Sequence, residues 1–478
     1  MAAKSPLFAA LAALIIAACA VLGAEQLYSQ RGSPHDPILA FNLVGRSRDF
    51  SVGKAGTELQ NPATDIRILD YSFEKVRQSY YKPVNDADML AGERKGLLDV
   101  LKFKHVTAQL PVVTASPQND LQSDEAKAEE LLRTAFVKYG SQAGVDALAF
   151  GAVSGMLAAL KDPYTVFLQP REMRSLKELI SGGDFGGIGV YIGQDKKTKQ
   201  TLVIEPIRGT PAAKAGLKPG DIIVSVDGRA TKGLGLDPVM NVIRGPAGST
   251  VRLLVQRSGA PVKTYVVVRE QIHVPSVDSK MLDNQIGYVQ LVDFGDTSAQ
   301  EVSDALKSLL ARGAKGMILD LRNNGGGLLQ AAVNISSKFV PDGPIVSTID
   351  RQGRVYTDNA NQDAIPPHPL AVLVNQFSAS ASEITAGAIQ DSNAGVLIGV
   401  RTFGKGVVQT IYDLPAGAAL KVTTARYVTP AGRDINGKGI QPNIVVPMDP
   451  RAVIVPAKDV QLKAAIGYLR RQIALNAK

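Results

Sequence analysis

The chain has 478 residues, 45% of them hydrophobic and 20% charged, which excludes global disorder and leaves room for about two to four domains. Its net charge of +9 is spread without a long basic run or aromatic interleaving, which argues against a nucleic-acid surface. A single cysteine, Cys19, excludes an intramolecular disulfide, a thiolate nucleophile and a cysteine-based metal site in the mature domains.

At the N-terminus one positive residue, Lys4, precedes the unbroken apolar run Leu7 to Ala24, closed by Glu25. Residues 1–24 therefore read as a signal sequence or anchor. Cleavage after Ala-Cys-Ala (18–20) or Leu-Gly-Ala (22–24), lipidation of Cys19, and retention as a membrane anchor all fit the pattern. Any membrane association is expected through this segment only. Residues 25–62, rich in Gly, Ser, Pro and Asn, read as a tether.

Residues 63–176 are expected to be helical. Ile66, Leu69, Phe73, Val76 and Tyr80 recur at three- and four-residue steps up to Pro83, and a second helical region runs from about Ala126 to Leu160. Between them, near 107–124, lies a polar inserted loop with two prolines. The two helical regions are weakly alike: Ala87-Asp-Met-Leu-Ala before Gly96-Leu-Leu echoes Val145-Asp-Ala-Leu-Ala before Gly155-Met-Leu.

Residues 177–272 change character to short β-branched runs split by Gly and Pro. The Gly187-Ile188-Gly189-Val190 loop, TPAAKAGLKPGDIIVSVDG (210–228) and IRGPAGSTVRLLVQR (243–257) resemble a PDZ domain. That resemblance implies capture of a peptide's C-terminal carboxylate by clustered N–H groups and addition of its chain to a strand edge. The implied apolar groove is lined by Ile188, Val190, Val239, Val242 and Ile243, and Arg244 is a candidate link between tail binding and activity.

From about Gln285 strand and helix alternate, so residues 273–450 should form an α/β layer with largely parallel strands, including PIVSTI (344–349). A helical segment, 451–478, ends the chain. None of the histidines His35, His105, His273 and His368 is placed where such a sheet gathers active-site residues, and no His-Glu-x-x-His occurs. Neither a Ser-His-Asp triad nor a metal site is supported, and no cofactor is expected.

Three serines, Ser378, Ser380 and Ser382, alternate with alanines in FSASASEITAGAIQD (377–391) at the entrance to a helix. A serine nucleophile needs a base. Lys405 lies in RTFGKGVVQTIYDL (401–414) between two glycines and beside Phe403, Val407 and Val408. Apolar burial there would lower an amine pKa from about 10.4. Gln409 could hold the amine without adding charge. LAVLVN reads as a buried strand, so Ser380 should fall at a strand-to-helix elbow with the Ala381 N–H aimed at a developing oxyanion. Glycines after LDLR (319–322) are a second source of bare N–H groups, Gly326 first and Gly325 second. Ser380 and Glu383 also have the spacing of a helix capping box.

ILDLRNNGGG (318–327), FSASASEITAGAIQD and RTFGKGVVQ, in that order, closely resemble the carboxy-terminal processing proteases, also called tail-specific proteases. The likeness spans about residues 65–450. It implies a multidomain α+β protein with a helical N-terminal region, a PDZ module, a crotonase-like α/β core and a C-terminal helix. It also implies a serine endopeptidase with Ser380 as nucleophile, Lys405 as base and Gln409 as support. Protein substrates with apolar C-terminal tails and an exported bacterial envelope location follow from it. An adaptor and a homo-oligomer stay open. A PDZ scaffold that binds tails without cutting them, and a hydrolase of small esters or amides, are the rival readings.

Overall fold

A computed structural model describes residues 61–180, 185–195, 198–282, 285–449 and 458–476. The export-type segment and nearly all of the tether lie outside them. Two compact units are present, Glu178–Pro275 and the chain on either side of it.

The first stretch holds α1 (Pro62–Ser79), α2 (Asp86–Phe103), α3 (Leu121–Ala143) and α4 (Val145–Ala158), followed by β1 (Val166–Leu168) and α5 (Pro170–Ile180). Local chemistry sets the helix starts. Asn61, Asn85 and Asp120 accept the N–H groups of Ala63, Ala87 and Ser123 at 3.0, 3.0 and 2.8 Å. Gly144, at φ +87°, both ends α3 and starts α4. The likeness between the helical regions has a packing counterpart. Gly92 and Gly96 of α2 face Gly151 and Gly155 of α4, and a Cβ on Gly96 would lie 2.0 Å from the Gly151 carbonyl oxygen. Side chains longer than hydrogen would push these helices apart.

The Glu178–Pro275 unit is built from β2 (Phe185–Gly187), β3 (Val190–Gln194), β4 (Thr201–Pro206), α6 (Pro211–Lys214), β5 (Ile222–Val226), β6 (Arg229–Ala230), α7 (Leu236–Ile243), β7 (Thr250–Gln256), β8 (Lys263–Val268) and β9 (Glu270–Ile272). Its main sheet has the order β3-β4-β5-β7-β8, so β3 is an edge strand, and β2 pairs with β9. Ile188, Val203, Leu217, Val239, Ile243 and Leu253 are among its buried core.

After Ser276 come β10 (Val277–Leu282), β11 (Ile286–Leu291), α8 (Ser298–Ala311), β12 (Gly316–Asp320), α9 (Leu329–Ser336), β13 (Pro344–Asp350), β14 (Val355–Asn359), β15 (Leu370–Val374), α10 (Ala381–Asp391), β16 (Val396–Gly399), β17 (Val407–Asp413), β18 (Ala419–Val428), β19 (Ile444–Val445) and α11 (Val460–Asn476). The main sheet runs β10-β11-β12-β15-β16-β19 and is parallel except for the β10–β11 pair. β12 and β15 are buried along their whole length, as strands covered on both faces must be. Val289, Leu319, Val372 and Leu397 pack in the cluster that contains residues of α8, α9 and α10. Tyr288, Ile318, Leu373 and Ile398 pack instead with Ala465 and Leu469 of α11.

PIVSTI departs from the expected placement. It forms β13 in a second, antiparallel sheet, order β1-β18-β13-β14 with β17 also on β18. Its burial is confined largely to Ile345 and Val346, and a tight turn with Gly353 at φ +79° folds it back as a hairpin onto β14. The helical stretch is not closed on itself either. β1 pairs with β18 through Val166↔Lys421 and Leu168↔Ala419, and Leu420 and Val422 share the core of α1–α4.

Candidate active site

The three motifs become three neighbouring loops. Residues 321–327 follow β12, 375–380 follow β15 and 400–406 follow β16, and these strands are adjacent and parallel. All three loops therefore leave the same edge of the sheet, the carboxyl ends, where α/β sheets place their chemistry.

Ser380 is the residue before α10, with φ +55° and ψ −116°. A non-glycine residue in this region is strained and persists only where its surroundings impose it. The surroundings are identifiable. Ser378 Oγ donates to the Leu321 carbonyl at 2.7 Å and accepts the Asn375 N–H at 3.0 Å. Ser382 Oγ donates to the Asn324 carbonyl at 2.9 Å, and the Ala379 N–H reaches the same oxygen at 3.0 Å. Ser378 and Ser382 are fully buried staples between the elbow and the 321–327 loop, while Ser380 is only part-buried. Accessibility thus separates one serine from its two neighbours.

Glu383 completes the elbow. It is fully buried, and its carboxylate accepts the Ser380 N–H (3.0 Å), the Thr402 hydroxyl (2.5 Å), the Gly404 N–H (2.7 Å) and the Lys405 N–H (2.8 Å). Burial pushes its pKa up and these donors work against the rise. Because Oε2 takes both the Ser380 and the Lys405 N–H, one atom fixes the two backbones side by side. The Tyr427 hydroxyl repeats the link, donating toward the Lys405 carbonyl at 2.6 Å and the Ser380 carbonyl at 3.0 Å. The capping-box spacing anticipates the Ser380 N–H bond, but neither the links from Glu383 to residues 402–405 nor the Tyr427 clip is legible in the sequence. A carboxylate inside the buried stretch Ala381–Ile389 is the available signal, since such a group needs donors.

Lys405 is 4% exposed and its Nζ lies 4.8 Å from the centre of the Tyr164 ring. Burial first, then the nearby Lys421 ammonium, lower its pKa to about 7, against the opposing pull of Asp162 and Glu383. The flanking glycines serve close approach: a Cβ on Gly404 would stand 2.8 Å from the Gly439 nitrogen, and one on Gly406 2.8 Å from that of Asn436. Gln409 lies on β17 opposite Thr423, and its Nε2 is buried with no partner among the described residues.

The Ala381 N–H opens α10 and takes no bond within the helix. Gly326 presses against it: a Cβ there would lie 2.8 Å from both the Ala381 nitrogen and the Ser380 Cβ. The Gly326 N–H, expected as the first glycine donor to an oxyanion, bonds Asn324 Oδ1 at 2.8 Å. A short Asx-type turn at Asn324 uses that N–H to hold the glycine run in shape. Gly325 remains beside it. Asp391 ends α10, accepts the Ala431 N–H at 2.9 Å and pairs with Arg433.

Arg322 anchors the 321–327 loop from below. Its guanidinium, 3% exposed, bonds both carboxylate oxygens of Asp320 and both of Asp459, and Tyr288 donates to Asp320 at 2.8 Å. The bidentate geometry ties the loop to the start of α11.

Within Glu178–Pro275, Gly187 lies in β2 and Gly189, at φ +70°, turns the chain into β3. The Ile188 and Gly189 carbonyls are held by the N–H groups of Ala212 (2.7 Å) and Ile207 (2.9 Å). Helix α7 packs against β3 and ends at Arg244. Of the expected groove residues, Ile188, Val239 and Ile243 are closed into the core, since they face the sheet interior. Val190 and Val242 keep exposed surface.

Among the described residues no group of three or more His, Cys, Asp or Glu side chains is arranged to hold a metal, and no helix is long and apolar enough to cross a membrane.

Comparison with known proteins agrees with this layout. The pattern of Peptidase family S41 matches residues 285–446, and that of a PDZ domain matches residues 202–257. A carboxyl-terminal-processing protease of Synechocystis sp. is 39% identical over 336 residues, covering 69% of this chain and 78% of that one. The carboxy-terminal processing protease CtpA of Bacillus subtilis is 39% identical over 300 residues, 63% of this chain and 64% of its own. A solved photosystem II D1 C-terminal processing protease is 32% identical, aligned over 81% of this chain and 94% of that one, with a TM-score of 0.45. The chain belongs to peptidase family S41 and is a serine-type carboxyl-terminal-processing protease that carries a PDZ domain.

Proposed function

We propose that this protease cuts protein substrates near their C-terminus through a Ser380–Lys405 dyad, after its PDZ domain has taken up an apolar tail. One observation carries the reading: the only accessible serine of the three sits on a strained elbow whose backbone shares the Glu383 carboxylate with a buried lysine. Neutral Lys405 takes the Ser380 proton as Oγ attacks the scissile carbonyl. The Ala381 N–H stabilises the oxyanion, with the Gly326 N–H, turned from Asn324, as the second donor and Gly325 as the alternative. Lys405 then protonates the leaving amine and activates water to release the acyl group. Gln409 keeps the amine in place without adding a charge.

For the tail, the open edge of β3 offers strand addition, and Val190 and Val242 offer apolar surface beside it. The Gly187–Val190 turn is the carboxylate cradle, and Arg244 couples an occupied groove to activity. The apolar segment before Glu25 directs export to the cell envelope, with Cys19 a candidate for lipidation.

The test offers an unstructured protein with an apolar free C-terminus to the wild type, Ser380→Ala and Lys405→Ala. Loss of at least about three orders of magnitude in kcat/KM is expected for either variant. Turnover equal to wild type would remove the dyad. Amidation of the substrate's terminal carboxylate should raise KM; unchanged cleavage would remove the tail-capture role.

A further inference from the structure

We propose that Tyr164, on the turn that leads out of the helical stretch into β1, is a positioning residue of the peptidase: its ring is the wall that keeps water from the Lys405 amine. The proposal rests on the Ser380–Lys405 reading above and adds to it a part contributed by a distant stretch of sequence.

The ring stands 4.8 Å from Nζ, at cation–π range. The turn that carries it is built rather than loose. Asp162 accepts the Tyr164 N–H at 3.0 Å and the Thr165 hydroxyl at 2.7 Å. Thr165 Oγ1 in turn accepts the Thr423 N–H of β18 at 3.0 Å, and Thr423 is the cross-strand partner of Gln409. Residues 162–165 are thereby fastened to the strand beside the base. Val166, next in the chain, pairs with Lys421.

The ring acts on the amine in two opposed ways. Its π face attracts the ammonium, which favours the charged form, while its bulk excludes water, which favours the neutral form. Four other groups bear on Lys405. Lys421 of β18 disfavours the charge, Asp162 of the turn and Glu383 of α10 favour it, and burial outweighs all of them. Tyr427 of β18 faces the backbone of the same residue as a neutral hydroxyl. Since burial leads, opening the wall should raise the amine's pKa even though the ring's attraction goes with it.

The experiment is the pH dependence of kcat/KM for wild type, Tyr164→Phe, Tyr164→Leu and Tyr164→Ala on the unstructured substrate. The Ala variant's acid limb should move up by about one pH unit. Its activity then falls roughly five- to sixfold at pH 7, approaches a tenfold loss only below about pH 6, and returns toward wild type at higher pH. The Phe variant should keep the wild-type limb, and Leu, which excludes water without a π face, should stay close to it. If the Ala variant fails to fold, Tyr164→Val, which leaves part of the wall open, takes its place and should show an upward shift of the limb. A Leu limb displaced to lower pH, with Phe unmoved, assigns the ring an electrostatic role and overturns the wall. An unmoved limb in every variant, or a loss uniform across pH, also overturns it. A flat wild-type profile would instead undo the dyad assignment, so the two failures are distinguishable.

Discussion

Among the described residues two glutamates are entirely shielded from solvent, Glu383 in α10 and Glu93 in α2, and burial raises the pKa of both. Their surroundings are otherwise opposite. Glu383 has four donors and joins the Ser380 loop to the Lys405 loop. Neither carboxylate oxygen of Glu93 has a partner among the described residues, and Asp70 adds like charge nearby. An ionised carboxylate is stabilising only where donors are fixed around it; without them, burial keeps the acid protonated. The first glutamate is an organiser of the site; the second sits in a helical core where burial and Asp70 favour its protonated form.

The contrast is sharpest if Glu383→Gln is made. An amide brings its own N–H groups against donors and cannot serve all four, so kcat/KM should fall on the order of 10²-fold through misplaced loops. Breaking a buried charged network also costs about 3–5 kcal/mol, measured by denaturant unfolding. Activity near wild type would place Glu383 outside the organising role.

Glu93→Met should do the reverse. It removes an unpartnered polar group, so stability at pH 8 should rise by about 1–3 kcal/mol, with kcat/KM within a factor of about two. A destabilised Met variant would reveal a partner for the carboxyl.

The same argument gives a pH trend for Asp65, which sits beside Asp146 and whose pKa is raised from 3.8 to about 7, first by burial and then by that neighbour. The folded state binds this proton more tightly than the unfolded chain does. Its contribution is therefore fully present below about pH 4 and is lost as pH rises to about 7 and beyond. Asp65→Asn should flatten unfolding free energy against pH over that window; an unchanged slope would assign the trend to other groups.

The smallest effect is expected from Tyr427→Phe. It deletes one clip between the Ser380 and Lys405 carbonyls and leaves Glu383 in place, so about 1 kcal/mol and a few-fold in kcat/KM are expected. A loss as large as that of Glu383→Gln would mean that the hydroxyl, not the carboxylate, is the main link.

Much of this site could be read before any coordinates. The strand-to-helix junction at Ser380 follows from an apolar run meeting a helix-forming segment, and the glycines about Lys405 announce a close backbone approach. What could not be read is what depends on distant pairing. Glu383 takes its donors from residues 402–405, Tyr427 comes from a strand of the second sheet, and Asp459 reaches Arg322 across 137 residues. PIVSTI was misplaced for a related reason. Short β-branched runs look the same in either sheet, and only the hairpin to β14 separates them. The Asn324 side chain's bond to the Gly326 N–H is likewise a detail that the glycine run alone does not show.

The strained backbone of Ser380 has a consequence for biogenesis. Its conformation is imposed from both directions along the chain, by Asn324 some sixty residues before it and by Thr402–Lys405 some twenty residues after it. A nascent chain that has made the serine but not yet residues 402–405 lacks the acceptors' donors and cannot hold the elbow. The elbow at Ser380 thus takes shape only once residues 402–405 are in place, a latch written into synthesis order. A released chain ending at Arg401 should leave residues 377–382 open to added protease where the full chain protects them, and equal protection would refute the latch.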